Sequence, residues 1–121
     1  MSYAVSWIVP ERVLQVLPPT VATDDLVKDF DHDMVKHLDA SSASIDVVVD
    51  VRHVQVHPSA QAFINLRYFK HPRLGRLIML GITDQLVLRF IMNLSTQALH
   101  LQVVGFATPG EVEAYLKTHS A

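Results

Sequence analysis

The side chains able to carry chemistry fall into a few small groups. Asp50 and Arg52 stand at the end of the apolar run over residues 45–51. If that run is a strand of a parallel sheet, the pair lies at its C-terminal end, where open α/β sheets bind their ligands. The plainer arrangement has Asp50 capping the loop that follows and Arg52 paired with it at the surface. Ser59 follows Pro58 at what reads as a helix start. A phosphate there would meet free N–H groups and the positive end of the helix dipole. Otherwise Ser59 is a small residue that packs against the sheet. His53 and His57 are spaced i, i+4. That spacing holds a metal only on a helix. Here a loop carries both, with no third ligand beside them, so no metal is expected. His32 and His37, five apart, are separated on a helix. His71, Arg73 and Arg76 lie around Pro72 in a basic loop that suits either an anion or solvent.

No catalytic constellation joins these groups. The four Gly are isolated, so there is no phosphate-cradling loop, and neither G-x-S-x-G nor H-E-x-x-H occurs. The absence of Cys removes disulfides, thiolate zinc sites, iron–sulfur clusters and Cys nucleophiles. The expectation is a protein that is not an enzyme and holds no cofactor. Ten Lys plus Arg against twelve Asp plus Glu leave a net charge of −2, with no basic face for nucleic acid. Apolar runs reach no more than five residues, against about 20 for a membrane span. The opening MSYAVSWIVPER lacks the layout of a targeting signal. We expect a cytoplasmic protein with no membrane span and no nucleic-acid partner. At 121 residues, half of them apolar and 18% charged, the chain suits one globular domain that buries about two-thirds of its unfolded surface.

The elements that must position these residues follow from periodicity. Residues 3–9 alternate, with Tyr3, Val5, Trp7 and Val9 on one face. Pro10, Glu11 and Arg12 then turn the chain into a second strand over 13–17, which Pro18 and Pro19 stop. Thr23 is placed to cap a helix whose first turn holds Asp24 and Asp25. Leu26, Val27, Phe30, Met34 and Leu38 form its apolar stripe. The β-branched run over 45–51, apolar on both faces, predicts a buried parallel strand. Pro58 opens a helix that runs to about Lys70, and Pro72 ends it. A second buried strand is expected over 77–80, then a helix from Asp84 to about Ala98, then a last strand over 101–106. Thr108-Pro109-Gly110-Glu111 is a capping box that starts a final helix. The order ββαβαβαβα predicts an α/β fold with a mostly parallel sheet, its strands at 45, 77 and 101 central and the first strand antiparallel at an edge.

Four segments carry a family resemblance: VSWIVPERVLQV, VVVDVRHV, YFKHPRLGRLIMLG and the closing ATPGEVEAYL. With them the chain resembles the SpoIIAA-like superfamily of STAS domains, and more closely a group of stand-alone bacterial STAS-like proteins. The resemblance implies a βα superhelix of consecutive parallel strands with an antiparallel edge strand from the N-terminal hairpin. It also implies a regulatory position. Anti-sigma-factor antagonists of this superfamily are phosphorylated by a partner kinase within an Asp-Ser-Ser-Gly segment at the start of the helix after the third strand. The matching positions here are Pro58, Ser59, Ala60 and Gln61. Only Ser59 remains, and Ala60 stands at the acceptor position. Ser59 is therefore expected not to be an efficient phosphoacceptor, and regulation is expected to work through binding.

Two middle helices carry more apolar surface than a sheet requires. Ala60, Ile64 and Tyr68 form a second stripe on one, and Leu88, Met92 and Leu99 on the other. Either the stripes pack on each other, or Ile64, Tyr68, Leu88 and Met92 form a patch for a protein partner or a second copy. The function expected is a non-catalytic regulatory module that binds a protein, including itself as a homodimer. The alternative is a binder of a small apolar, lipid-like ligand in a pocket between those helices.

Overall fold

The computed structural model describes residues 3–56, 59, 62, 66–81 and 102–119. Five strands form one sheet: β1 (Ala4–Val9), β2 (Val13–Leu17), β3 (Ile45–Asp50), β4 (Leu74–Leu80) and β5 (Gln102–Phe106). Two helices are described, α1 (Asp24–Asp39) and α2 (Pro109–His119), with a 3-10 turn at Tyr68–Lys70. The strand order is β1-β2-β3-β4-β5. β1 is antiparallel to β2, and every other neighbouring pair is parallel. The protein is α/β with a mostly parallel sheet and an antiparallel edge strand. One expectation is corrected. β5 is an edge strand of this sheet, not a central one, because each parallel strand is added outside the one before it.

The hairpin turns through a hydrogen bond from the Arg12 N–H to the Val9 carbonyl at 3.0 Å. Pro10 takes the second turn position and Glu11 the third, with φ +63°. A type II turn asks for that positive φ, and glycine is the residue that adopts it without cost. The register shifts between Trp7 and Val9, which places a bulge at Ile8.

α1 begins where Thr23 Oγ1 accepts the Leu26 N–H at 3.2 Å, and Asp24 and Asp25 occupy the first turn. Its buried stripe is Val27, Phe30, Asp31, Met34 and Leu38. This stripe meets the sheet face that carries Leu14, Val16, Val47, Val49, Leu77 and Met79. Ala62, Leu66 and Tyr68, from the crossover between β3 and β4, join the same cluster. These two crossovers, β2 to β3 and β3 to β4, thus lie on one face, as stepping in one direction with one hand requires. α2 covers part of the opposite face. Its Val112 packs with Val13, Val48, Ile78 and Leu80, and Tyr115 and Leu116 lean on that cluster. No helix among the described residues is long and apolar enough to cross a membrane.

The helix expected to run to Lys70 is interrupted. Leu66 and Arg67 are not helical, and Tyr68–Lys70 is a separate 3-10 turn. Tyr68 is 4% exposed and packs edge-on against Phe30, ring centroids 5.8 Å apart. It belongs to the core and not to a surface stripe. The other members of the expected patch, Ile64, Leu88 and Met92, lie outside the described residues, as do His57, Pro58, Ala60 and the expected helix from Asp84.

Candidate functional site

Asp50 and Arg52 do come together at the C-terminal end of β3. Asp50 is 2% exposed. The Arg52 backbone N–H and Nε both donate to its Oδ1, at 3.1 and 2.9 Å, and an Arg52 terminal nitrogen donates to Oδ2 at 2.7 Å. The guanidinium holds the Asp50 carboxyl below the usual carboxylate range, against the opposing effect of burial. Gly81, at φ +95°, lies under the pair, and a Cβ there would collide with the Arg52 side chain. Both carboxylate oxygens are thus occupied by the residue two positions on. A carboxylate so filled is neither a general base nor a free ligand donor. The plainer arrangement is the one that forms, a capped loop and an internal pair.

Ser59 is likewise engaged. Its hydroxyl donates to Asp24 Oδ2 and its N–H to Asp24 Oδ1, both at 2.8 Å, while its Oγ accepts the Ala62 N–H at 3.2 Å. The backbone and hydroxyl of Ser59 draw the Asp24 carboxyl below its ordinary range. The first turn of α1 is thereby clipped to the next crossover.

The basic residues around Pro72 bind the protein itself, and Arg76, expected in the loop, lies within β4. Arg73 donates to the carbonyls of Leu38 and Asp39, at 3.2 and 2.9 Å, and so caps the C-terminus of α1. His71 Nε2 meets Asp39 Oδ1 at 2.7 Å. Arg76 forks onto Asp46, at 2.6 and 3.2 Å, and its guanidinium lies 5.0 Å from the Tyr115 ring centre. A Cβ at Gly75 would collide with the Asp46 carboxylate, so only glycine lets that carboxylate reach the β4 backbone. Among the described residues no group of three His, Asp or Glu could hold a metal ion.

Two polar residues were not singled out by sequence reasoning. Asp46 stands near the start of β3, ahead of three consecutive Val, and Asp31 lies on the buried stripe of α1. A carboxylate on an apolar stripe is a usable signal, since burial demands partners for it. The partners of Asp31 are backbone groups from far along the chain, which no local spacing announces.

What stays open is the hairpin edge. All six residues of β1 are exposed, with Val5 38%, Trp7 42%, Ile8 41% and Val9 39% exposed. Among the described residues β1 pairs with β2 alone, and no described strand lies along its other backbone edge. Between β1 and α1 runs an open groove of about 390 Å³. Tyr3 and Val5 form one wall, and Leu26, Phe30 and Met34 the other. Tyr3 stacks on Phe30, ring centroids 4.3 Å apart, and burial pushes its hydroxyl up to about 12. It therefore remains a neutral hydrogen-bonding group on an apolar wall. Asp29, Asp33, Lys36 and His37 form the rim on α1. Apolar walls, a charged rim and an open backbone edge can hold an extended chain or an apolar side chain. Comparison with protein-family models, with curated proteins and with solved structures finds no match to this chain.

Proposed function

We propose that this chain is a non-catalytic, STAS-like regulatory module of the cytoplasm that acts by binding another protein. The STAS reading is supported by the consecutive strand order and the antiparallel edge strand. The observation that carries the binding reading is β1, an apolar edge strand without a single charge. Soluble proteins ordinarily blunt such edges with charges, proline or a covering element. An edge left apolar and open is one that a partner covers. The polar residues that sequence nominated point the same way, since Asp50, Arg52 and Ser59 all spend their hydrogen bonds within the chain. The proposed interface is β1 and the groove beside it; of the helix-stripe residues Tyr68 alone is described, and it is buried.

A photo-cross-linking residue placed at Trp7 tests this in the native cells, with the same residue at Glu113 on the exposed side of α2 as control. We expect a discrete cross-linked protein from position 7 and none from position 113. Equal labelling from both positions, or none from position 7, overturns the reading. A second reading, a carrier of a small apolar ligand, is favoured by the groove volume, which falls in the range of small-molecule sites. Native mass spectrometry of protein purified from those cells tests it, and a retained ligand of defined mass is its expected sign.

A further inference from the structure

We propose that β1 accepts an extended segment of a partner protein as a sixth strand, and that this segment carries Lys or Arg at two alternate positions facing Asp29 and Asp33. The inference rests on the protein-binding reading and specifies its partner. Three observations meet at one place. First, among the described residues β1 is paired on one side only, so a strand laid along its other side gains the main-chain hydrogen bonds of strand addition. Second, the register sets Trp7 opposite Leu14 and Val5 opposite Val16, which puts Tyr3, Val5 and Trp7 on the face that α1 covers. Every second side chain of an added strand then projects on that face, beside the groove.

Third, the far rim of the groove carries unspent charge. Among the described residues, Asp29 and Asp33 have no ion pair and no side-chain hydrogen bond, although both border the groove. They are four residues apart on α1, a rise of about 6 Å. Alternate residues of a strand are separated by about 6.6 Å. Two Lys or Arg at alternate positions therefore match the two carboxylates in spacing. Their aliphatic stems suit the accessible wall surface of Tyr3, Val5 and Leu26, and their charged heads reach the rim, as long basic side chains do on apolar surfaces. Lys36 and His37 follow on the next turn of the same rim. The Lys36 ammonium repels a third cation and limits the basic run to two.

The test uses the isotope-labelled full chain and a synthetic peptide of alternating Val and Lys. Its Val nitrogens are methylated, so it offers one hydrogen-bonding edge and cannot stack on itself. A Glu-for-Lys peptide is the control. We expect the Lys peptide to shift and protect the amides of β1, to bind at least tenfold more tightly than the Glu peptide, and to weaken with added salt. The double variant D29N/D33N should bring the two peptides to within about threefold of each other. Equal binding by the wild type, or shifts that leave the β1 amides unmoved, overturns the proposal. So does a wild-type dimer that Trp7→Asp disperses in sedimentation equilibrium, because the occupant is then a second copy. If position 7 cross-links a partner in cells while the Lys peptide leaves β1 unmoved, strand addition fails and the docking reading stands.

Discussion

The backbone N–H of Tyr68 donates to Asp31 Oδ1 at 2.9 Å, and the N–H of Arg67 reaches the same oxygen at the same distance. A carboxylate of one crossover thus supplies the missing acceptor at the start of a 3-10 turn in the next. Tyr68, held this way, closes the aromatic row that runs through Phe30 to Tyr3.

Asp31→Ala is expected to lower stability by about 2–4 kcal/mol, because it strands two backbone donors at a buried site. Asp31→Asn keeps an oxygen for both amides and should lose less than half of that. Urea denaturation followed by circular dichroism measures both. A loss under about 0.5 kcal/mol in the Ala variant would mean that water replaces the carboxylate.

Glu11→Gly is expected to stabilise the protein by about 1 kcal/mol, because the turn holds a non-glycine residue at φ +63°. Glu11→Val should destabilise it, since a branched Cβ tolerates that region least. Thermal melts of the two variants should move in opposite directions.

The Asp50–Arg52 pair predicts a pH dependence with a definite sign. The Asp50 carboxyl is held below its ordinary range in the folded chain, chiefly by the Arg52 guanidinium. Its contribution is fully present above the unfolded value of about 3.9 and is lost as pH falls through the folded value. Wild type should therefore exceed Asp50→Asn in stability at pH 7, and the gap should close on acidification below about pH 4. Denaturation midpoints of both proteins between pH 7 and pH 2 check this. A gap that widens in acid would contradict the assignment.

Ser59 is expected not to carry stoichiometric phosphate. Its hydroxyl and N–H are both given to Asp24, so a phosphate dianion would stand against a carboxylate. Phosphopeptide mapping of protein from its native cells is the check. Asp24→Asn removes that repulsion and should raise labelling by any kinase that reaches the segment.

Much of this fold was legible because its signals are local. The Pro10-Glu11 turn, the Thr23 cap, the β-branched run at 45–51 and the Thr108-to-Glu111 box all declare themselves within a few residues. The Asp50–Arg52 pair was legible too, as one of two arrangements at a spacing of two. The error at Tyr68 has a physical source. The 60/64/68 spacing is helical only if the helix continues through Leu66 and Arg67. It does not, because Asp31, 36 residues before Arg67, draws the Arg67 and Tyr68 amides to itself. The exposure of β1 was hidden for a related reason. Alternation in residues 3–9 marks a strand, but whether its faces are covered depends on α1, which reaches Tyr3 and leaves Trp7 open.

Strand order in this sheet is the same as chain order. No strand has to slip between two that have already paired, and each parallel neighbour arrives after one crossover. A chain emerging from the ribosome can lay down β2, α1 and β3 and then extend the sheet outward one edge at a time. Growth of this kind keeps the sequence distance between partners short for a parallel sheet, which lowers the entropy of closing each loop. The N-terminal hairpin is the first pairing available and needs no later residue to form its hydrogen bonds. The surface proposed to meet a partner is thus complete before the last strand is synthesised.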